Sequence, residues 1–585
     1  MSLMGRGGHC RIRGTEPWVA YTPLMRRVAG VLPGVWVLVL VLLLLGPALL
    51  PGLVLSYDMV WVPDLALRAD LLGVGSALPR NIPSDAVVAV VDELVPGMLL
   101  QKLVLVGALV SAGLGCQALV GGTLLARLVA GSLAVWSPFV AERLVIGHWP
   151  VLLAYGLLPW LLLAGRAEGR HRWLRLGLLL PLGSLSASAG LMSAAAALAG
   201  VAGERPGRRT LATVAGLCLA VNLPWVIGGL LAGGSARTAG ADGVFVLSGE
   251  GWLPAPLAAL GLGGIWNAEV VPVSRTDGRA VVLLVALLAL ALLGARSWWR
   301  SETPGRRAAV LALWLLGQII AVSGWVAPQA VSLLGSSLPG VGILRDGSRY
   351  LALALPLTVV LGAAGAEAIG ARLSPVARIG VGMVLVLFPV TLAPDLARGV
   401  SGSVQAVAYP PEYAEVRARL DRAGTTGDVL ILPFTSYRAP AWNGYRKVLD
   451  PIPRVLSVPS VSSDDLIVDD RTIQGEDPHA QAVRAALDLS DPAERSAALA
   501  DLGIALVLTD RAALGDQDSP ELAARPLLSS GSLLVTRLEP GPRRSIGAGP
   551  ARVGLLTLAW LGFLAPLGWA IGIAVRRYFG HRRFG

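Results

Sequence analysis

A run of about twenty residues almost free of charge returns again and again along this chain. At 1.5 Å per residue that length matches the roughly 30 Å hydrocarbon layer of a bilayer. A helix at the surface of a soluble domain keeps one polar face. The stretch GVWVLVLVLLLLGPALLPGLV, residues 34–54, has none. Only 15% of the 585 residues are charged, against about 25% in soluble domains, and 54% are hydrophobic, with mean hydropathy +0.65. The fold class is therefore a polytopic α-helical membrane protein.

Counting runs gives about twelve spans. They fall near 31–54, 99–121, 123–140, 149–165, 173–188, 189–203, 210–232, 279–295, 307–326, 349–371, 377–394 and 551–575. The first has a basic stretch before it and is too long for a signal-peptide core, so it reads as an uncleaved span. Arginines then fix the orientation. They cluster before the first span (Arg26, Arg27), after the fourth (Arg166 to Arg175), after the sixth (Arg205, Arg208, Arg209) and after the eighth (Arg296 to Arg307). Arg372 and Arg378 follow the tenth, and Arg576, Arg577, Arg582 and Arg583 close the chain. With twelve spans all clusters share one side, which places both termini in the cytoplasm of a plasma-membrane protein. The net charge of +11 is then a topology signal, not a nucleic-acid surface.

The expected organisation is a cytoplasmic N-terminus (1–30), a transmembrane domain (31–394) with a long first outer loop (55–98), and an extracytoplasmic insert (395–550). A last span (551–575) and a basic cytoplasmic tail (576–585) complete it. In the insert, strand-like DVLILPF and IALVLTD alternate with helix-like PPEYAEVRARLDRAG, the pattern of a small α/β domain. In the first loop, SDAVVAVVDELVPGMLLQKL has helical periodicity and predicts amphipathic helices on the membrane surface. Cys10, Cys116 and Cys218 make neither a disulfide framework nor a zinc pattern. There is no GxGxxG after a strand, no GxxxxGK[ST] and no HExxH, so nothing points to ATP, redox or zinc chemistry.

Candidate chemistry gathers on the outer side. Asp58 and Asp64, in LSYDMVWVPD, stand just beyond the first span. A carboxylate at that depth can act as general base on a sugar hydroxyl; helix capping or a solvated loop is the plainer reading. AERLVIGHWP brings Glu142, Arg143 and His148. Arg143 suits bidentate phosphate binding and His148 diphosphate binding or proton transfer, with a Glu–Arg pair as the alternative. In LRDGSRY, Arg345 and Arg349 sit four apart and are expected to share one helix face. Outer arginines run against the positive-inside trend, and an anionic lipid phosphate or a pairing with Asp346 would explain them. Asn267 and Glu269 add polar groups, whereas Asn222 and Glu367 read as structural and solvated. In SYRAPAWNGYR, Tyr437, Trp442, Asn443 and Tyr445 combine rings with polar groups, which suits a glycan or domain packing equally. Asp464, Asp465, Asp469 and Asp470 match no EF-hand spacing and read as a solvated turn.

These segments carry a resemblance. YDMVWVPD, SPFVAERLVIGHWP, LRDGSRY and DVLILPFTSYRAPAWNGYRKVLDP, with the late insert, resemble the GT-C class of integral membrane glycosyltransferases. They are similar to the arabinofuranosyl- and mannosyltransferases of the mycobacterial envelope. The tandem acidic pair that many such enzymes carry in the first loop is absent here. The resemblance implies a polyprenyl-phosphate sugar as donor, an envelope polysaccharide or glycolipid as acceptor, the bilayer as partner and no nucleic acid. It implies Asp58, or Asp64 in its place, as the base. Donor phosphate would be bound by Arg345 and Arg349 with Arg143 and His148. Trp442, Asn443, Tyr445 and Glu269 would hold the acceptor. A divalent cation stays open. Two other classes fit twelve spans, a flippase for lipid-linked glycans and a non-catalytic envelope scaffold. No paired broken helices or related halves favour the first.

Overall fold

A computed structural model describes residues 23–74, 81–231, 243–337, 340–423, 427–468, 471–513, 520–539 and 549–581. Cys10 with the rest of residues 1–22, Asp469, Asp470, Arg582 and Arg583 lie outside the described residues. Among the described residues, ten helices are long and apolar enough to cross a membrane. They are Gly30–Leu49, Gly97–Val120, Leu124–Val145, Trp149–Arg166, Arg208–Leu231, Gly278–Ser301, Pro304–Val326, Gly347–Gly370, Pro375–Leu392 and Pro550–Arg576. The chain is a multi-pass membrane protein.

The expected fifth and sixth spans are two shorter helices, Gly169–Leu182 and Ala187–Ala202. The first spends its opening turns on Arg170, Arg172 and Arg175, which leaves too few apolar residues for a full span. Because the two come as a pair, the arginine clusters before and after them keep the same side whether or not they cross.

Small residues let the spans approach closely, since apolar attraction between helices is weak in lipid. Gly294 and Gly365 face each other across the Gly278–Ser301 and Gly347–Gly370 spans. A Cβ on Gly294 would strike the Leu361 carbonyl, and one on Gly365 the Leu290 carbonyl. The third span is broken: Leu124–Val135 ends at Trp136, and Ser137 caps a second helix, Pro138–Val145, with its side chain.

The insert is an α/β domain. Its five-stranded sheet comprises β1 (Asp428–Leu432), β2 (Ser460–Val461), β3 (Ile504–Asp510), β4 (Ala524–Ser530) and β5 (Leu533–Leu538). The order is β4-β5-β3-β1-β2, with β1 parallel to β2 and β3, and β5 antiparallel to β3 and β4. IALVLTD is buried at every position, as a central strand covered on both faces should be. Helices Pro478–Leu487 and Pro492–Asp501 begin at Asp-Pro pairs, with Asp477 and Asp491 as N-caps.

The first loop is tied to this domain rather than lying free on the membrane. Leu53–Val54 pairs with Ala406–Val407, and Tyr57 bridges to Val448 in the hairpin Tyr437–Arg438/Val448–Leu449. Helix Ser84–Val91 is largely buried, and its Asp85 pairs with Arg454 at 2.9 Å. The expected surface helix over MLLQKL is instead the start of the second long span.

Candidate functional site

The Asp58 segment is stitched to the turn between the third and fourth long spans. Ser56 Oγ donates to the Val145 carbonyl at 2.5 Å and Asp58 N to the Ile146 carbonyl at 3.1 Å. Gly147 makes this approach possible. Its φ is +86°, and a Cβ there would collide with Met59 N and Ser56 O.

This brings Asp58 to His148, with Oδ2 3.3 Å from Nε2. Tyr437 of the insert domain donates its hydroxyl to Asp58 Oδ1. Two guanidiniums flank the imidazole: Arg143 Nη1 lies 3.1 Å from Nδ1, on the far side from Asp58, and Arg349 Nη2 lies 3.2 Å from Nε2, the nitrogen that Asp58 also approaches. Asp346 holds both, at 3.5 Å from Arg143 and 2.8 Å from Arg349 Nε. Ser348 links them further, accepting from Arg143 Nη2 at 2.6 Å and donating to Asp346 at 2.5 Å. Arg143 is wholly buried, whereas the side chains of Arg349 and Asp58 are 32% and 41% exposed. The cluster has a buried floor and two accessible groups.

Burial raises the Asp58 carboxyl, but the hydrogen bonds from His148 and Tyr437 and the charge of Arg349 outweigh it and hold the group below the usual carboxylate range. Burial and then the Arg349 charge, with a smaller push from Arg143, bring His148 down to about 4 against the pull of Asp58. At neutral pH the pair is therefore carboxylate and neutral imidazole. Asp346, raised by burial, is held down by Arg349 and Arg143. The surrounding network assigns the proton to Nε2, which donates to Asp58 while Nδ1 accepts from Arg143. Arg349 Nη2 then faces a nitrogen without a lone pair. Its N–H is available to an anionic oxygen, on the exposed side of the cluster.

The structure thus brings together Asp58, His148, Arg143 and Arg349. Arg345 goes elsewhere, over the Phe245 ring at 4.3 Å and 3.7 Å from Glu476. The shared helical face expected for Arg345 and Arg349 does not form, because the chain passes through two 3-10 turns, Val341–Leu344 and Gly347–Ala354, with a break between them. Asp64 pairs with Arg417 at 2.8 Å and pins the insert domain. Glu142 is buried close to Glu250, which pairs with Arg275 at 2.5 Å. Trp442 packs on Tyr409 and Tyr413, and Asn443 is fully buried, bonded to Arg446. Tyr445 is 74% exposed, and Glu269 accepts from Tyr57 at 2.5 Å and from Lys447 at 3.3 Å. Among the described residues no group of three or more His, Cys, Asp or Glu could hold a metal. Sequence reasoning named Tyr437 only as one of several aromatics; its meeting with Asp58, 379 positions away, has no local signal.

Two solved structures match this architecture. A cryo-electron-microscopy structure of the arabinofuranosyltransferase AftD from Mycobacteria aligns over 88% of this chain with TM-score 0.50 and 17% identity. A mutant form of AftD aligns over 89% with TM-score 0.52, again at 17% identity. The fold is GT-C. The chain spans about 40% of the AftD length. No family model matches the chain, and no curated protein sequence matches it.

Proposed function

We propose that this protein is a membrane glycosyltransferase that moves a sugar from a polyprenyl-phosphate donor to an envelope glycan or glycolipid on the outer face. The observation that carries the reading is the accessible Asp58 carboxylate gathered with the partly exposed Arg349 guanidinium at one imidazole nitrogen, 3.3 and 3.2 Å from His148 Nε2. Asp58 takes the proton from the acceptor hydroxyl as oxygen attacks the anomeric carbon. The bond to the donor phosphate breaks, and Arg349 meets the charge building on that phosphate. Arg143, sealed from solvent, acts through His148, Ser348 and Asp346 to hold Arg349 and the imidazole in place. Direct displacement inverts the anomeric carbon. Arabinofuranose is the favoured sugar because AftD, which shares the fold, is an arabinofuranosyltransferase; mannose is the second choice. Asp64 and Arg345, each bound to the insert domain, are docking residues in this reading.

The test is transfer in isolated membranes carrying the wild type, Asp58→Asn or no protein, with labelled polyprenyl-phospho-arabinose or polyprenyl-phospho-mannose and acceptor glycans. Transfer by the wild type alone names the donor and places the base. An active Asp58→Asn protein removes Asp58 from the mechanism. Equal signal in all three sends the question to lipid-glycan movement across the membrane.

A further inference from the structure

A second polar cluster begins at Tyr57, the residue before Asp58. Three distant segments build it: Tyr57 of the first loop, Glu269 of the loop before the Gly278–Ser301 span, and Lys447 of the insert hairpin. Tyr57 Oη donates to Glu269 Oε2 at 2.5 Å, and Lys447 Nζ lies 3.3 Å from the same oxygen and 5.8 Å from the Tyr57 ring centre. The side chains of Glu269 and Lys447 are 59% and 42% exposed. Tyr445, on the same hairpin turn, offers an open ring.

Tyr57 has a φ of +45°, which an L residue with a bulky side chain rarely adopts. Backbone bonds hold it there: its N–H donates to the Lys447 carbonyl and its own carbonyl accepts from Leu449 N, both at 2.8 Å. A non-glycine residue kept at positive φ beside a candidate base is a feature of sites under functional constraint. The ring it projects sits with its centre 6.4 Å from that of Tyr437, the residue that donates to Asp58 Oδ1. The imidazole stands at Oδ2, and Arg349 Nη2 shares its Nε2. In a direct displacement, nucleophile and leaving group occupy opposite faces of the reacting carbon. With phosphate at Arg349, the attacking hydroxyl comes from the other flank of the carboxylate, where Tyr437 donates and the Tyr57 ring of this cluster lies beside it.

We infer that Tyr57, Glu269 and Lys447 form the acceptor subsite, and that it takes a neutral polyhydroxylated sugar. The inference rests on the transferase reading of Asp58 given above. Carboxylate and ammonium cancel, so the cluster has no net attraction for an anion, unlike the Arg349 side. Between them they accept from and donate to neighbouring hydroxyls. The subsite is complete only while the insert hairpin is paired with the first loop, since Lys447 and the backbone bonds to Tyr57 both come from that hairpin.

Two measurements separate this inference from the reading beneath it. The probes are synthetic arabinofuranosyl and mannosyl trisaccharides. With donor present, Glu269→Gln and Lys447→Met should each raise the KM for the trisaccharide used by the wild type roughly tenfold, the effect of losing a hydrogen bond to a charged group, while the donor KM stays put. An unmoved acceptor KM, or both KM values rising together, overturns the inference. Without donor, saturation-transfer NMR on the solubilised full chain should show binding of at least one trisaccharide by the wild type and Asp58→Asn but not by Glu269→Gln. Signal retained in Glu269→Gln, or none in the wild type, overturns it. Loss of signal in Glu269→Gln with no transfer by the wild type keeps the sugar site and removes the transferase. Glu269 is exposed enough that its replacement should leave the fold intact, which gel filtration checks.

Discussion

Replacing Tyr437 by Phe removes one hydroxyl and tests whether the insert domain tunes the base. The hydroxyl donates to Asp58, and hydrogen bonds to charged groups contribute about 1.5–3 kcal/mol. Asp58 is 41% exposed, so water replaces part of what is lost, and about 1–1.5 kcal/mol is the better figure. One pH unit corresponds to about 1.4 kcal/mol. The direction follows from the ionic form required. Asp58 is held below its ordinary value, it works as carboxylate, and activity falls as pH drops through its folded-state pKa. Without Tyr437 the carboxyl rises, so the acid limb of kcat/KM moves upward by about one pH unit. The stability that Tyr437 contributes through Asp58 is present above the unfolded carboxyl pKa and disappears at lower pH. The difference in Tm between wild type and variant should therefore close on acidification. His148, Arg349, Arg143 and Asp346 remain in both proteins and cancel in the comparison. The assay is transfer measured in detergent or nanodiscs from neutral pH down through the acid limb of the wild type. Superimposable acid limbs would refute the idea that Tyr437 tunes Asp58, whatever happens to kcat.

Three further outcomes are expected. Gly147→Ala should abolish transfer with little loss of protein, because the added Cβ meets Met59 N and Ser56 O and pushes the Asp58 segment off its turn; full activity in this variant would show that the segment is not fixed there. Arg438→Met should destabilise the whole chain by about 3–5 kcal/mol, since it strands buried Asp450 and Asp510, now 2.7 and 3.2 Å from the guanidinium. Thermal unfolding in detergent reads that directly, and an unchanged Tm would contradict it. Arg349→Gln should lower kcat by roughly 100-fold, the scale of losing one positioned charge donor in a transition state, while Arg345→Gln leaves kcat alone; equal losses would reinstate Arg345 as a phosphate ligand.

Much of the architecture was legible because membrane burial writes itself into composition. A span must be long and uncharged, so ten of the expected runs reappear as long helices within a few residues. The insert domain was equally readable from DVLILPF and IALVLTD, which supply two buried strands, and from the charged helix in PPEYAEVRARLDRAG. The site was half legible. Asp58, Arg143, His148 and Arg349 each stood out as polar groups next to apolar runs, where charge needs a partner or a task. Arg345 misled because a four-residue spacing places two side chains on one face only in a continuous α-helix, and this segment is 3-10 and broken. Trp442 and Asn443 looked like sugar contacts, yet aromatic and amide groups serve packing just as well, and here the domain core encloses both.

The sequence by itself determined that the chain crosses a membrane many times and where the polar insert begins. Those properties follow from the local price of placing charge or backbone in hydrocarbon, and each run carries its own signal. Only the tertiary structure decided which polar residues meet. Asp58 reaches His148 because Gly147 lets two turns touch, and it reaches Tyr437 because a β-bridge from Tyr57 to Val448 joins the first loop to the insert hairpin. Contacts between segments hundreds of residues apart depend on how helices and domains pack, and no periodicity in one segment encodes its partner in another.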